Sequence, residues 1–189
     1  MKIKRILGLD PGLYGAYTLL DIQGGVLEFA NFQTIQEKKK ARSKSKKASR
    51  VDVNLDLVQM GNLFERFRDG ETIAYLEFSQ AFQKEGASSS HKSGKGYGVL
   101  LGLCVAFPRI PFLIITPQKW TKAMHIPGDP SPDAKVRSRS AFRKSFIDMA
   151  TTPKKIHNGI VDSTLIAEYG RQRINAGLDI WEFENQIGR

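Results

Sequence analysis

A single cysteine, Cys104, excludes any disulfide within the chain. It lies inside the apolar run VLLGLCVAF, a setting that fits a reducing compartment, and the expected location is cytoplasmic. Histidine is nearly as scarce, with three in 189 residues, so neither a thiolate set nor a paired-histidine spacing for structural zinc is present. No apolar run reaches the roughly 20 residues of a membrane span, and no membrane partner is expected. The opening MKIKRILGL begins like a secretory leader, but Asp10 and Pro11 end the apolar stretch far too soon. Internal repeats are absent, and the chain reads as one domain over 1–189, long enough to bury a core.

Acids are the remaining shortage. Lys and Arg total 29 against 19 Asp and Glu, a formal net charge of +10. That excess points to a polyanionic partner, nucleic acid being the commonest. It is unevenly placed: EKKKARSKSKKASR (37–50) holds eight basic residues and one acid, +7 of the +10. Without apolar periodicity, this stretch is expected to be a flexible loop. Its Lys38, Lys39, Lys40, Arg42, Lys44, Lys46 and Lys47 read as a phosphate-contacting arm, with a solvated solubilising loop or a localisation signal as alternatives. KVRSRSAFRK (135–144) adds a second basic stripe on an expected helix.

Three strands are expected at about 3–9, 14–22 and 25–34, with Gly24-Gly25 as a tight turn. Leu57, Met60, Leu63, Phe64 and Phe67 have helical spacing within 54–70. ETIAYLEF (71–78) reads as a fourth strand, followed by a polar loop and an apolar helix at about 96–107. PFLIIT (111–116) reads as the fifth strand, and Pro117 opens the short helix PQKWTKAM. A basic helix at about 132–149 and a last helix at 157–174 complete the order, with an ambiguous tail after Asn175. Three antiparallel strands followed by strands alternating with helices imply an α/β fold, a mixed five-stranded sheet flanked by helices. That is the layout of an RNase H-like domain.

Three acids fall at the ends of these apolar elements. Asp10 closes the first strand and Glu77 the fourth, while Asp162 lies near the start of the last helix on the Leu165, Ile166, Tyr169 stripe. An unpaired Asp on such a stripe is costly, and a cation shared with Asp10 and Glu77 resolves the cost. His157 precedes Asn158-Gly159, where it can turn inward as a fourth ligand or cap the helix; Asn158 is the other candidate. Each acid also has an ordinary role open to it, as a turn residue, a strand-end surface acid or a partner of the helix dipole. An oxygen-rich set suits Mg²⁺, with Mn²⁺ able to substitute, and two such ions can clamp both oxygens of a phosphodiester displacement.

The segments GLDPGLYGAYTLLD, YLEFSQAF, GKGYGVLLGL, TPQKWTKAM and HNGIVDSTLIAEYG together resemble the RuvC-type Holliday junction resolvases, over about residues 4–172. The likeness is closest to the plastid and bacteriophage branch. It implies a homodimeric, Mg²⁺-dependent endonuclease of bacterial or phage-infected cytoplasm that nicks opposing strands of four-way DNA junctions symmetrically. Asp10 and Glu77 match the family's first- and fourth-strand acids, and Asp162 matches the last acid. His157 stands where that branch has Asp, a departure that lowers the charge of the site.

The resemblance further makes Phe82 an aromatic that stacks on bases at the crossover, or one that packs locally. It makes Lys95 and Tyr97, in SGKGYG at the expected opening of the next helix, candidates for DNA contact. Lys119 and Lys122 flank Trp120; relatives carry a Lys directly after that Trp, where this chain has Thr121, so Lys122 is the expected stand-in. Trp120 itself reads as core. Three rivals follow from the same residues. They are a non-catalytic junction-binding scaffold, an RNase H-like nuclease on another substrate such as an RNA–DNA hybrid, and an actin-like phosphotransferase. The last needs two such domains, for which 189 residues are too few.

Overall fold

The run RILGLD is apolar at nearly every position because it is buried on both faces. Ile6, Leu7 and Leu9 have no solvent exposure, as the central strand of a covered sheet requires. The computed structural model of the chain describes residues 3–38, 51–79, 86–107, 110–146 and 156–179. Strands β1 (Arg5–Asp10), β2 (Ala16–Asp21) and β3 (Val26–Asn31) form an antiparallel meander. Strands β6 (Thr72–Glu77) and β7 (Phe112–Ile115) extend the sheet in parallel from the other side of β1. The order is β3-β2-β1-β6-β7, the mixed five-stranded α/β sheet expected from the sequence.

Helices cover both faces. One carries α3 (Pro117–Met124), α4 (Ala134–Ser145) and α5 (Asn158–Asn175), packed on Ile6, Leu20, Ile73 and Tyr75. The other carries α1 (Leu57–Glu65) and α2 (Ala87–Ala106), packed on Leu7, Leu9, Leu76 and Tyr17. Helix α5 lies against β1 and β2. Its Ser163 and Thr164 hydroxyls hydrogen-bond buried Thr18 of β2 at 2.8 and 2.9 Å. At its far end Tyr75 of β6 donates to Asp179, which also accepts from Arg173. These buried polar links fix the height of α5 on the sheet, and so the position of Asp162.

Three elements differ from the sequence reading. Part of the expected basic loop is a ribbon: β4 (Thr34–Lys38) pairs antiparallel with β5 (Val51–Leu55), and residues 39–50 lie outside the described residues. Helix α1 starts at an Asp56 cap, and Leu57, expected on its buried stripe, is exposed, whereas Met60, Leu63, Phe64 and Phe67 are buried.

Helix α2 begins at Ala87, well before the expected position, so SGKGYG lies within it and does not open it. The glycines that signal a loop there serve a close approach instead. A methyl at Gly96 would lie 2.9 Å from the backbone of Gly12, in the turn after β1.

Candidate active site

Asp10 and Glu77 end two neighbouring parallel strands whose register pairs Leu9 with Leu76, so the two acids stand side by side at the carboxyl edge of the sheet. Parallel sheets place their ligand sites at that edge. Their charges oppose each other at close range, so ionising both is costly. Burial raises the Asp10 carboxyl well above the usual range, and the charges of Glu77 and Asp162 push the same way.

Burial also lifts Glu77, to about 7; the Trp120 indole N–H, 2.8 Å from its Oε1, opposes the rise and the Asp162 charge adds to it. Trp120 is therefore both the core residue expected, at 3 % exposure, and a donor to the site. That second role is invisible in the sequence.

Asp162 projects from the second turn of α5 into the same region. Its helix face is buried as expected, with Leu165 and Ile166 fully inside. Burial pushes its carboxyl up to about 6, against the stabilising influence of the Ser138 hydroxyl and of the Lys135 and Arg139 charges. The first turn of α5 presses on the other acid, since a methyl at Gly159 would lie 3.0 Å from Asp10 Oδ2. The fold thus brings Asp10, Glu77 and Asp162 within electrostatic reach of one another. Among the described residues, no three His, Cys, Asp or Glu side chains are drawn together as a finished ion cage. The donor set nonetheless suits a hard divalent cation: three carboxyls whose mutual repulsion and burial oppose ionisation gain most from a cation between them.

His157 is the N-cap of α5. Its Nδ1 accepts from the Gly159 N–H at 3.2 Å and sits 3.2 Å from Asn31 Nδ2. Nε2 is thereby left as the ring atom open to a ligand role. The Oδ1 of Asn158 is taken by Arg139, at 2.9 Å from Nε and 2.5 Å from Nη2.

The candidate DNA-contacting residues are dispersed. Lys95 reaches Asn54 of β5 at 2.6 Å, tying α2 to the base of the ribbon. Tyr97 packs edge-on against Phe78 at 5.6 Å. Lys119 and Lys122 line a groove of about 580 Å³ with Leu113, Tyr169 and Arg173, whose walls include none of the three acids. Phe82, Lys39, Lys40, Arg42, Lys44, Lys46 and Lys47 lie outside the described residues, as does the side chain of Lys38. In the basic α4, Arg137 and Arg139 make internal hydrogen bonds, while Lys135, Arg143 and Lys144 are exposed.

Two exposed aromatics not singled out from sequence border the acids. Phe78, 38 % exposed, directly follows Glu77, and Tyr14, 63 % exposed, sits in the turn after Asp10. Adjacency to the two strand-end acids was the available signal for both.

No family model matches the chain. No curated protein matches it either. Solved structures do. T. thermophilus RuvC in complex with a Holliday junction substrate superposes with a TM-score of 0.53 at 13 % identity, over 92 % of this chain and 97 % of that one. A second Thermus thermophilus RuvC structure gives a TM-score of 0.51 at 15 % identity, with the same coverage. The fold of this chain is similar to that of RuvC.

Proposed function

We propose that the chain is a metal-dependent nuclease of one RNase H-like domain that resolves four-way DNA junctions as a homodimer, by paired symmetric nicks. The observation that carries this reading is the convergence of Asp10 and Glu77, at the ends of neighbouring strands on the sheet edge, with Asp162 of α5 within electrostatic reach of both. Isolated strand-end acids would point to solvent, whereas burial opposes the ionisation of all three. The RuvC-like fold adds weight, since one neighbour was solved with a Holliday junction. The net charge of +10 suits a DNA partner.

In this reading Asp10, Glu77 and Asp162 would hold Mg²⁺, two ions in all, with His157 as the fourth candidate through Nε2. A bound divalent cation supplies Lewis acidity and a more acidic water. The chain does the rest. Trp120 holds Glu77 Oε1 in place. The attacking water would lose one proton, to a carboxylate oxygen of the site or to solvent, as its oxygen bonds to phosphorus, and the departing 3′ oxygen would gain one from solvent as the P–O3′ bond breaks. Phe78 and Tyr14 offer faces for bases unstacked at a crossover. The basic arm, Lys95, Lys119 and Lys122 meet phosphates away from the cut. No helix among the described residues is long and apolar enough to cross a membrane, and cytoplasmic action fits this substrate.

The test compares labelled four-way junction, duplex and RNA–DNA hybrid, with Mg²⁺ or EDTA, for wild type and Asp10→Asn. Paired cuts in the junction alone, lost with EDTA and with the variant, are expected. Binding without cutting would make the chain a scaffold, and cutting of the hybrid would reassign its substrate.

A further inference from the structure

A cleft between the end of β3 and helix α1 has no part in the nuclease reading. It measures about 310 Å³, at the lower end for small-ligand sites. Its floor is apolar: Tyr17 and Phe32, stacked with centroids 6.0 Å apart, and Met60 and Leu63 of α1, all buried. Two rows of carboxamides border that floor. Asn31 ends β3 and Gln33 lies just beyond it. Gln59 and Asn62 stand on α1 with Arg66 at its end, at i, i+3 and i+7, one stripe of the helix. Amides that served only to fasten α1 to the sheet would bond one another across the gap. Among the described residues they do not. Asn31 donates to the Tyr14 and Gly15 carbonyls at 3.5 and 3.4 Å, and Gln33, Gln59 and Asn62 have no side-chain partner.

The cleft is also neutral. Among the described residues its charged lining is Glu28 and Arg66, and the two cancel. Arg66 donates from Nη1 to Oε1 at 3.2 Å and from Nη2 to Oε2 at 2.5 Å. The Tyr17 hydroxyl donates to the same Oε1 at 2.5 Å. Two of the five guanidinium N–H groups are spent on this pair, and the others are left for a ligand. In a chain of net charge +10, such a pocket favours a neutral polar ligand over a phosphate. Its place is close to the acids. Register aligns Asp10 with Ala16 and Ala16 with Asn31, so Asn31 stands two strand spacings, about 10 Å, from Asp10.

We propose that this cleft is a nucleobase site, taking one unstacked purine with its edge toward Gln59, Asn62 and Arg66. Carboxamides match the N6/N7 edge of adenine, and a guanidinium matches O6 and N7 of guanine. The apolar floor accepts the face of the ring. The proposal rests on the nuclease reading only for one source of the base, a strand running past the acids; a free nucleotide is the other.

The experiment reads the site without cleavage. Side-chain amide signals of nitrogen-15-labelled protein are followed by NMR in EDTA. The probes are purine and pyrimidine deoxynucleoside monophosphates, a short purine-rich single strand, and an oligomer of abasic sugar-phosphate units. The strand should shift the Gln59 and Asn62 amides, and the abasic oligomer should leave them in place. Purine monophosphates that shift them too make a free nucleotide a second source. Gln59→Ala and Asn62→Ala, both at exposed positions, should each weaken strand binding about three-fold, the loss of one ordinary hydrogen bond. Amides unmoved by every base-bearing probe, or moved as much by the abasic oligomer, overturn the proposal, as does affinity unchanged in both variants. Base binding with the expected losses in a protein that cuts no junction sinks the nuclease reading and leaves this one standing. Junction cutting with the two amides unmoved does the reverse.

Discussion

The indole N–H of Trp120 donates to Oε1 of Glu77 at 2.8 Å, so a residue at 3 % exposure in the core reaches out of it to hold a strand-end carboxylate. Replacing Trp120 by Phe keeps much of the packing and removes that donor. Glu77 should then be held less well, and its carboxyl should rise further. Junction cleavage is expected to fall by about ten-fold or more, since the lost bond to a charged acceptor is worth roughly 1.5–3 kcal/mol. Single-turnover cleavage checks it. Unchanged cleavage in a folded Trp120→Phe protein would remove Trp120 from the site.

The raised carboxyls carry a pH signature. A carboxyl whose folded pKa exceeds its unfolded value contributes stability that is fully present below the unfolded value and lost as pH rises through the folded one. For Asp162 that window runs from the usual carboxylate range to about 6, and for Glu77 to about 7. Metal-free protein should therefore lose stability between about pH 4 and pH 7. Asp162→Asn should flatten this slope and be more stable than wild type near neutral pH, by on the order of 2 kcal/mol. Urea melts in EDTA across that range check it, and added Mg²⁺ should restore wild-type stability but not act on the variant to the same extent.

His157 separates two roles by choice of substitution. As the N-cap of α5 it accepts from the Gly159 N–H. Asn caps a helix well and Ala does not, a difference of about 1 kcal/mol. Ligation through Nε2 predicts that His157→Asn and His157→Ala both weaken Mn²⁺ binding. Capping alone predicts that His157→Asn keeps both metal affinity and melting temperature. Metal titration and thermal melting of the two variants decide between them.

Phe78 follows Glu77 and is exposed, packed edge-on against Tyr97. Phe78→Ala should weaken junction binding by about 1–3 kcal/mol, the usual worth of an aromatic stacked on a base. Duplex binding should change far less. Competition binding of junction against duplex, with the metal chelated, measures both.

Much of this fold was legible because its strands obey simple burial. The runs around Ile6–Leu9 and Ile73–Leu76 are fully apolar, bounded by acids and turn residues, and they became the two central strands. The Asp162 stripe followed helical spacing and packed as read. The ribbon β4–β5 was missed although Val51, Val53 and Leu55 alternate with Asp52 and Asn54, because the charge run 37–50 next to it reads as loop and its short strands run straight into the helical spacing that follows. The start of α2 was missed because Gly96 reads locally as a breaker, while its use is tertiary: it lets the helix meet the Gly12 backbone. Trp120 reads as core, but its bond to Glu77 carries no sequence signal. That relation arises from α3 packing against the sheet and α5, and no spacing within the chain encodes it.

Manganese binding to the purified chain, titrated by electron paramagnetic resonance for wild type, Asp10→Asn, Glu77→Gln and Asp162→Asn, tests the shared site most directly. The account predicts saturable binding in wild type that each substitution weakens severely, because all three carboxyls serve one centre. Wild-type binding that survives all three substitutions, or substitutions that each leave the others' contribution intact, would contradict it.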